Sequence, residues 1–160
     1  AFIIHIYKAG SFFPLPWILN DLPNVFHFDA MTDVMIARGQ KESFIKFLHA
    51  TPSVLYFAAQ KLAAGMYGLV NRVGQLVLDD AYTKTIFLLL YFAETFGKHT
   101  DEGVALTVPL THREIASWIG TTRETASLQI EGLIKKGLVV THGRQIILPN
   151  IEKLRVSIAS

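Results

Sequence analysis

The chain contains no cysteine. Disulfides and thiolate-held iron–sulfur clusters are therefore excluded within its 160 residues. Long apolar runs are also missing. The longest, such as Ile86 to Ala93, fall far short of the roughly 20 residues that a membrane-spanning helix needs. The opening stretch, AFIIHIYKAG, has no basic segment ahead of its apolar part, so it does not read as a secretory leader. It reads as a buried strand, and a chain that opens in mid-strand reads as a fragment or a protein lacking its first part. A cytoplasmic location with no membrane partner is expected. No Ser/His/Asp or Cys/His arrangement, phosphate loop or paired-carboxylate site stands out, so no catalytic residue is assigned and an enzyme is not expected. The six histidines (His5, His27, His49, His99, His112 and His142) are scattered without metal-ligand spacing. No metal site and no cofactor are predicted from them.

Charge is sparse and the net value is only +2, yet it is unevenly placed. Residues 105–160 carry seven basic and four acidic side chains, net +3, against net −1 for residues 1–104. A positive C-terminal part is the expected direction for a phosphate-binding surface. Apolar residues make up 51% of the chain and include 11 phenylalanines, which predicts a sizeable core or interface.

The stretch from Leu110 to Val140, LTHREIASWIGTTRETASLQIEGLIKKGLVV, carries the most information. Thr111 followed three residues later by Glu114 is a capping box, which opens a helix. Ile115, Ala116 and Ile119 recur on one face at helical spacing. Gly120 suits the left-handed position that ends the helix. Thr121 or Thr122 can cap a second helix, and Thr121 with Glu124 forms a second possible box. Ala126, Ile130 and Leu133 give that helix its inner face, and Gly137 closes it. Its outer face carries Thr122, Arg123, Thr125, Ser127 and Leu128. Leu138 to Thr141 and Gln145 to Leu148 alternate as two strands, and His142-Gly143 suits a tight hairpin between them. Two short helices around a glycine turn, followed by a β-ribbon, form a winged helix-turn-helix, which lays its second helix in the major groove of DNA.

The segments TTRETAS, LTHREIA and GLV…HGRQIIL resemble the DNA-binding domain of the Crp/Fnr family of bacterial regulators. The match is close from Leu110 to about Leu154, and the region before it follows the family's order of parts. The resemblance implies an α+β fold in three parts. These are the latter half of a β-roll effector domain over residues 1–50, a dimerisation helix over 51–78 and a winged helix-turn-helix domain over 79–160. It further implies double-stranded DNA, a second copy of the chain and RNA polymerase as partners.

Arginine can offer two donors to guanine O6 and N7, and glutamate can accept from the cytosine amino group. The family uses its matching pair in that way, so the resemblance makes Arg123 and Glu124 the base readers. Glu124 could instead be a capping residue and Arg123 a solvated charge. Thr111, Thr122 and Thr125 are placed for phosphates, which fix register rather than sequence, and Ser127 shares their face. His142 and Arg144 sit on the wing beside the groove, although His142 could be a turn residue alone. The family pattern has a second arginine one turn after Arg123 and Glu124, where this chain has Leu128. Leucine cannot donate to guanine but can contact a thymine methyl, so an altered half-site is expected.

Thr51-Pro52 is a capping residue followed by proline at the first helical position. From there Leu55, Ala59, Leu62, Met66, Leu69, Val73 and Leu76 follow a 4-3-4-3-4-3 spacing, a coiled-coil seam. The seam can pair with a second copy or pack on its own domain; the resemblance favours the pair. Asp79-Asp80 can cap a following helix through about Phe96. Gly97 to Gly103 reads as a polar loop, and Ala105 to Pro109 as a further strand of the wing sheet.

In the first fifty residues, Phe2–Tyr7, Val25–Ala30 and Asp33–Arg38 read as strands and Lys41–His49 as a short helix. The resemblance identifies this order with the second half of the effector β-roll. Cyclic-nucleotide-binding members hold ribose and phosphate with a Gly-Glu pair and a later Arg. Here Pro14-Leu15 stands at the first position and Asn24 near the second. A buried cyclic phosphate would lack its counter-ion, so cAMP is not the expected effector, and the effector-binding residues are unknown. Phe12, Phe13, Trp17 and Phe26 line an apolar effector pocket or form core. The reading is a dimeric, sequence-specific transcription regulator under an effector other than cAMP. The alternatives are a repressor that occupies DNA without an effector and a winged helix that binds a protein partner.

Overall fold

Every helix with a cap signal forms where that signal lies. The computed structural model describes residues 2–20 and 23–158. Its helices are α1 (Leu15–Asn20), α2 (Lys41–Ala50), α3 (Pro52–Leu78), α4 (Ala81–Phe96), α5 (His112–Ile119), α6 (Arg123–Lys135) and α7 (Ile151–Val156). Its strands are β1 (Gly97–Thr100), β2 (Gly103–Leu106), β3 (Val140–His142) and β4 (Gln145–Leu148). They make one antiparallel sheet in the order β1-β2-β4-β3. Helices with a small antiparallel sheet give the expected α+β class. No helix among the described residues is long and apolar enough to cross a membrane.

Two compact units divide the chain. One comprises the residues up to Ile6 together with Gly74 onward; the other runs from Tyr7 to Val73. In the first unit, α4 begins at Asp80, whose side chain accepts the Thr83 backbone N–H at 2.7 Å. That bond and the Thr83 hydroxyl hold the Asp80 carboxyl below its ordinary range. The run IFLLLYFA then buries Ile86, Leu88, Leu89, Leu90, Phe92 and Ala93. A helix apolar on nearly all sides must be enclosed, and α4 packs against α5, α6, α7 and the β1–β2 hairpin. Trp118 of α5 stacks on Tyr91 at 5.5 Å and meets Phe92 edge-on at 5.7 Å. The Ile3 N–H donates to the Ser117 carbonyl at 3.1 Å, tying the first residues to α5.

The polar segment 97–103 is not a loop. Gly97–Thr100 pairs with Gly103–Leu106 as a hairpin, with Gly97 opposite Leu106 and Thr100 opposite Gly103. Its four outer residues are all exposed, as an edge strand allows, so low hydrophobicity did not prevent pairing. Gly103 takes φ +125° at the turn, a region open to glycine. The strand expected over Ala105–Pro109 ends at Leu106, and the one expected from Leu138 begins at Val140.

In the second unit, α2 and the first part of α3 form as the sequence predicts. The α1 helix was not foreseen. The three expected β-roll strands do not form: Val25–Ala30 and Asp33–Arg38, and Phe2–Tyr7, nearly all of which falls in the first unit, carry no strand pairing. A strand needs a partner strand to satisfy its backbone groups, and no strand pairs with these segments among the described residues. Met35 is accordingly 97% exposed, between exposed Val34 and Ile36. The aromatics expected to cluster fall into separate groups. Tyr7, Phe13 and Phe28 form a trio, with Phe13 4.6 Å from Tyr7 and 4.9 Å from Phe28 and the latter two 6.2 Å apart, while Phe12 meets Phe44 (5.9 Å) and Trp17 meets Phe26 edge-on (5.4 Å).

Candidate nucleic-acid interface

Helix α5 starts with the capping box that its sequence encodes. The Thr111 hydroxyl oxygen accepts the Glu114 N–H at 3.2 Å. Glu114 Oε2 accepts the Thr111 N–H at 2.6 Å and the Thr111 hydroxyl at 2.7 Å. That hydroxyl proton is committed inside the box, so Thr111 must exchange a bond to reach a phosphate. Gly120 takes φ +69°, and the Thr121 N–H returns to the Ala116 carbonyl at 3.0 Å. This left-handed close ends α5 and redirects the chain.

The second helix is capped by Thr122, not Thr121. Thr122 Oγ1 accepts the Thr125 N–H at 3.1 Å, and the two hydroxyls lie 3.0 Å apart. One hydroxyl donates to the other, which leaves one proton on the pair for an external acceptor. Because Thr122 and Thr125 make the cap, Glu124 is not a capping-box residue. Arg123 and Glu124 are the first two residues of α6, both exposed. Ala126, Ile130 and Leu133 are buried at 2% exposure or less, where α6 packs on α4 and α5. Fixing the inner face fixes the outer one. Arg123, Ser127 and Glu131 form one row at four-residue intervals, and Glu124 and Leu128 form the next. Ser127 donates to Glu131 at 3.2 Å, which holds that carboxylate along its own row. Leu128 is 64% exposed.

The wing is the β3–β4 hairpin. His142 pairs with Gln145 across the two-residue turn Gly143-Arg144, with Gly143 at φ +61°. Two-residue hairpin turns favour positive φ, which glycine supplies without strain. Arg144 stands exposed at the tip. His142 Nε2 lies 2.8 Å from Glu102 Oε2, on the turn of the β1–β2 hairpin. This residue is therefore more than a turn former, and any phosphate contact it makes competes with a carboxylate.

Of the predicted residues, Thr111, Arg123 and Arg144 come together in one cleft between the starts of α5 and α6 and the wing, whereas Thr122, Glu124, Thr125, Ser127, Leu128 and His142 do not line it. Thr111, His112, Arg113, Arg123, Gly143 and Arg144 line it. None of its three arginines forms an ion pair among the described residues. Other basic groups are engaged within the protein. Lys136 sits 4.3 Å over the Tyr82 ring and donates to its hydroxyl at 3.1 Å. Arg155 bonds Glu94 at 3.2 Å. No acidic residue lines this cleft, so an anion entering it would face Arg113, Arg123 and Arg144. Sequence reasoning missed Arg113. Its signal was its place in the first turn of α5, two residues after the Thr111 cap. Among the described residues no group of three or more His, Asp or Glu side chains stands close enough to hold a metal ion.

Residues 84–156 match the Crp-like helix-turn-helix domain family. The chain is 25% identical over 139 residues to a CRP-like cAMP-activated global transcriptional regulator of Mycobacterium tuberculosis, covering 86% of this chain and 61% of that protein. It is 24% identical to the transcriptional regulator SdrP of Thermus thermophilus, over 97% of this chain and 72% of that one. Among solved structures, a CooA mutant from Carboxydothermus hydrogenoformans superposes with a TM-score of 0.67 and 25% identity, over 74% of this chain and 55% of that one. The chain thus spans about 61% of the length of the Mycobacterium regulator.

Proposed function

From its membership of the Crp/Fnr family of transcription regulators, to which the chain belongs, we propose that it binds an inverted-repeat DNA operator as a homodimer, under an effector other than cAMP. The carrying observation is the uncompensated cleft where Arg113, Arg123 and Arg144 meet at the start of an exposed recognition helix. In this reading Arg123 and Glu124 address base edges, the first as a bidentate donor and the second as an acceptor. Thr111, Thr122, Thr125 and Ser127 set register on phosphates, with His142 and Arg144 following the backbone from the wing. The division into an effector part (1–50), a dimer helix (51–78) and a DNA-binding part (79–160) completes the proposal, with RNA polymerase as the downstream partner in the cytoplasm.

Dimerisation rests on α3. Along its predicted seam Leu55, Ala59, Met66, Leu69 and Val73 are exposed, and Leu62 and Leu76 are half-buried. An apolar stripe this long has its natural cover in a second copy of the same helix, and a two-fold axis would set two α6 helices about one DNA turn apart. Exclusion of cAMP rests on Asn24, whose amide is spent on its neighbour. Its Oδ1 accepts the Phe26 N–H at 3.1 Å and its Nδ2 donates to the Phe26 carbonyl at 2.9 Å. At the other position Leu15 is buried and offers no polar group. An effector would act by binding one arrangement of the dimer helices better than another. Unchanged DNA affinity across all cellular small-molecule fractions would refute that part alone.

The direct experiment is selection of bound sequences from a random duplex pool at near-physiological salt, with Arg123→Ala in parallel. An inverted repeat recovered by the wild type and lost with the variant is expected. A folded dimer that enriches no motif either alone or with cellular small-molecule fractions added would overturn DNA reading and leave the winged helix as a protein-binding surface.

A further inference from the structure

Leu128 stands out on the outer face of α6. It is 64% exposed, against 39% for Ile134 at the far end of the helix and 2% or less for Ala126, Ile130 and Leu133. Helix spacing sets it one turn beyond Glu124 on the same row, next to the row of Arg123, Ser127 and Glu131. Gly132, a further turn along the Leu128 row, adds no side chain there, and a Cβ built on it meets nothing within 4 Å. The position is therefore an apolar knob with a carboxylate on one side and open helix on the other.

In the major groove only one common feature is apolar: the methyl group at pyrimidine C5. On cytosine that carbon adjoins the one bearing the amino group that a glutamate accepts from. Glu124 and Leu128, about 6 Å apart at their β-carbons, can thus address the amino edge and a C5-methyl edge of one base or of adjoining bases. We infer that Leu128 reads a pyrimidine C5-methyl group in each half-site, so that operator affinity depends on that methyl. The inference rests on the assignment of α6 as the DNA-reading helix. Two sources carry the group: thymine, which is part of the sequence, and 5-methylcytosine, which would make binding responsive to DNA methylation.

The test uses the full chain and duplexes of the selected operator. Each thymine is replaced in turn by uracil, which removes only the methyl, and each cytosine by 5-methylcytosine, which adds it. Affinities are measured for the wild type and for Leu128→Ala, a substitution at an exposed helical site that leaves the core untouched. At one position per half-site, the wild type is expected to change about four-fold, as loss or gain of one methyl-sized apolar contact predicts. Changing both half-sites gives roughly fifteen-fold. Leu128→Ala is expected to show no response there. Weakening by uracil identifies thymine as the source; strengthening by methylation identifies 5-methylcytosine. Equal responses of wild type and Leu128→Ala at every position would overturn the inference while leaving an Arg123-dependent motif standing. Failure to select any motif would overturn both.

Discussion

Arg123 and Arg144 line the same cleft and carry the same charge, yet the reading above gives them different work. In the proposed mode Arg144 at the wing tip would meet a phosphate, and Arg123 at the start of α6 a guanine. Salt dependence separates the two. Each phosphate contact contributes about 0.9 to the slope of log affinity against log salt, through counter-ion release. A dimer uses Arg144 twice, so Arg144→Ala is expected to lower the slope by about 1.8. Between 50 and 200 mM salt that amounts to roughly a twelve-fold smaller loss of affinity. The preferred sequence stays the same. Arg123→Ala is expected to do the reverse. Loss of a bidentate base contact costs about 1–3 kcal/mol of discrimination per half-site, or about 2–6 kcal/mol for both, while the slope changes little. The preference at one base pair per half-site relaxes.

Both variants sit at exposed positions and leave the buried face of α6 unchanged, so circular dichroism and thermal unfolding should match the wild type. Fluorescence anisotropy at four or more salt concentrations, with the cognate duplex and with single-base variants, gives both numbers at once. A slope that falls with Arg123→Ala while the motif persists would show that Arg123 is a backbone contact. A slope unaffected by Arg144→Ala would place the wing away from the phosphates. Either result refutes the division of labour.

Further outcomes test the frame that holds the interface. Asp80→Ala removes the α4 cap and is expected to cost about 1 kcal/mol. Because the folded carboxyl titrates below its ordinary value, its stabilisation is full above about pH 4 and fades as pH falls through the lowered value. Urea unfolding of both proteins should therefore converge in acid, and a gap that widens there would contradict the cap. Leu133→Ala, at 0% exposure, should lose about 2–5 kcal/mol; a loss under 1 kcal/mol would mean that α6 is not seated on this core. Gly103→Ala would push a Cβ against the Leu148 carbonyl and within 2.7 Å of the Pro149 Cα, at φ +125°. It should destabilise by more than about 1 kcal/mol, and a neutral result in thermal unfolding would exclude this turn geometry. Leu69→Glu, at a half-exposed seam position, should leave helix content unchanged and convert a dimer to a monomer by sedimentation. Persistence of the dimer would move the interface off the seam.

The winged-helix part was legible because its signals are local. A capping box, a left-handed glycine and an apolar face repeat within a single turn of chain. Thr111, Glu114, Gly120 and Gly137 each do what their neighbours in sequence require. Where local evidence was divided, atomic detail decided. Thr121 and Thr122 are equivalent candidates on paper, and only the bond from the Thr125 N–H to Thr122 Oγ1 separates them. The Arg113 contribution was hidden for another reason. It lies on α5 and joins Arg123 and Arg144 only when the turn at Gly120 and the wing bring three segments together. The edge strand β1 was hidden because GKHT has no apolar face of its own and pairs through backbone alone.

The first fifty residues show the opposite balance. The apolar, strand-like composition of Val25–Ala30 and Asp33–Arg38 suits a sheet but cannot make one. A helix closes its hydrogen bonds within its own segment, whereas a strand borrows them from another. This is why α2 forms where it was read while neither segment pairs, and why Val34, Met35 and Ile36 stand exposed. The α1 helix has only six residues, too few to show a helical period, and Pro16 falls in its first turn, where no backbone N–H is needed for the ladder. The Trp17 and Ile18 N–H groups both reach the Pro14 carbonyl at 3.2 Å. A proline pair spaced by one residue thus opens this helix and carries Leu15 inward, where it is buried.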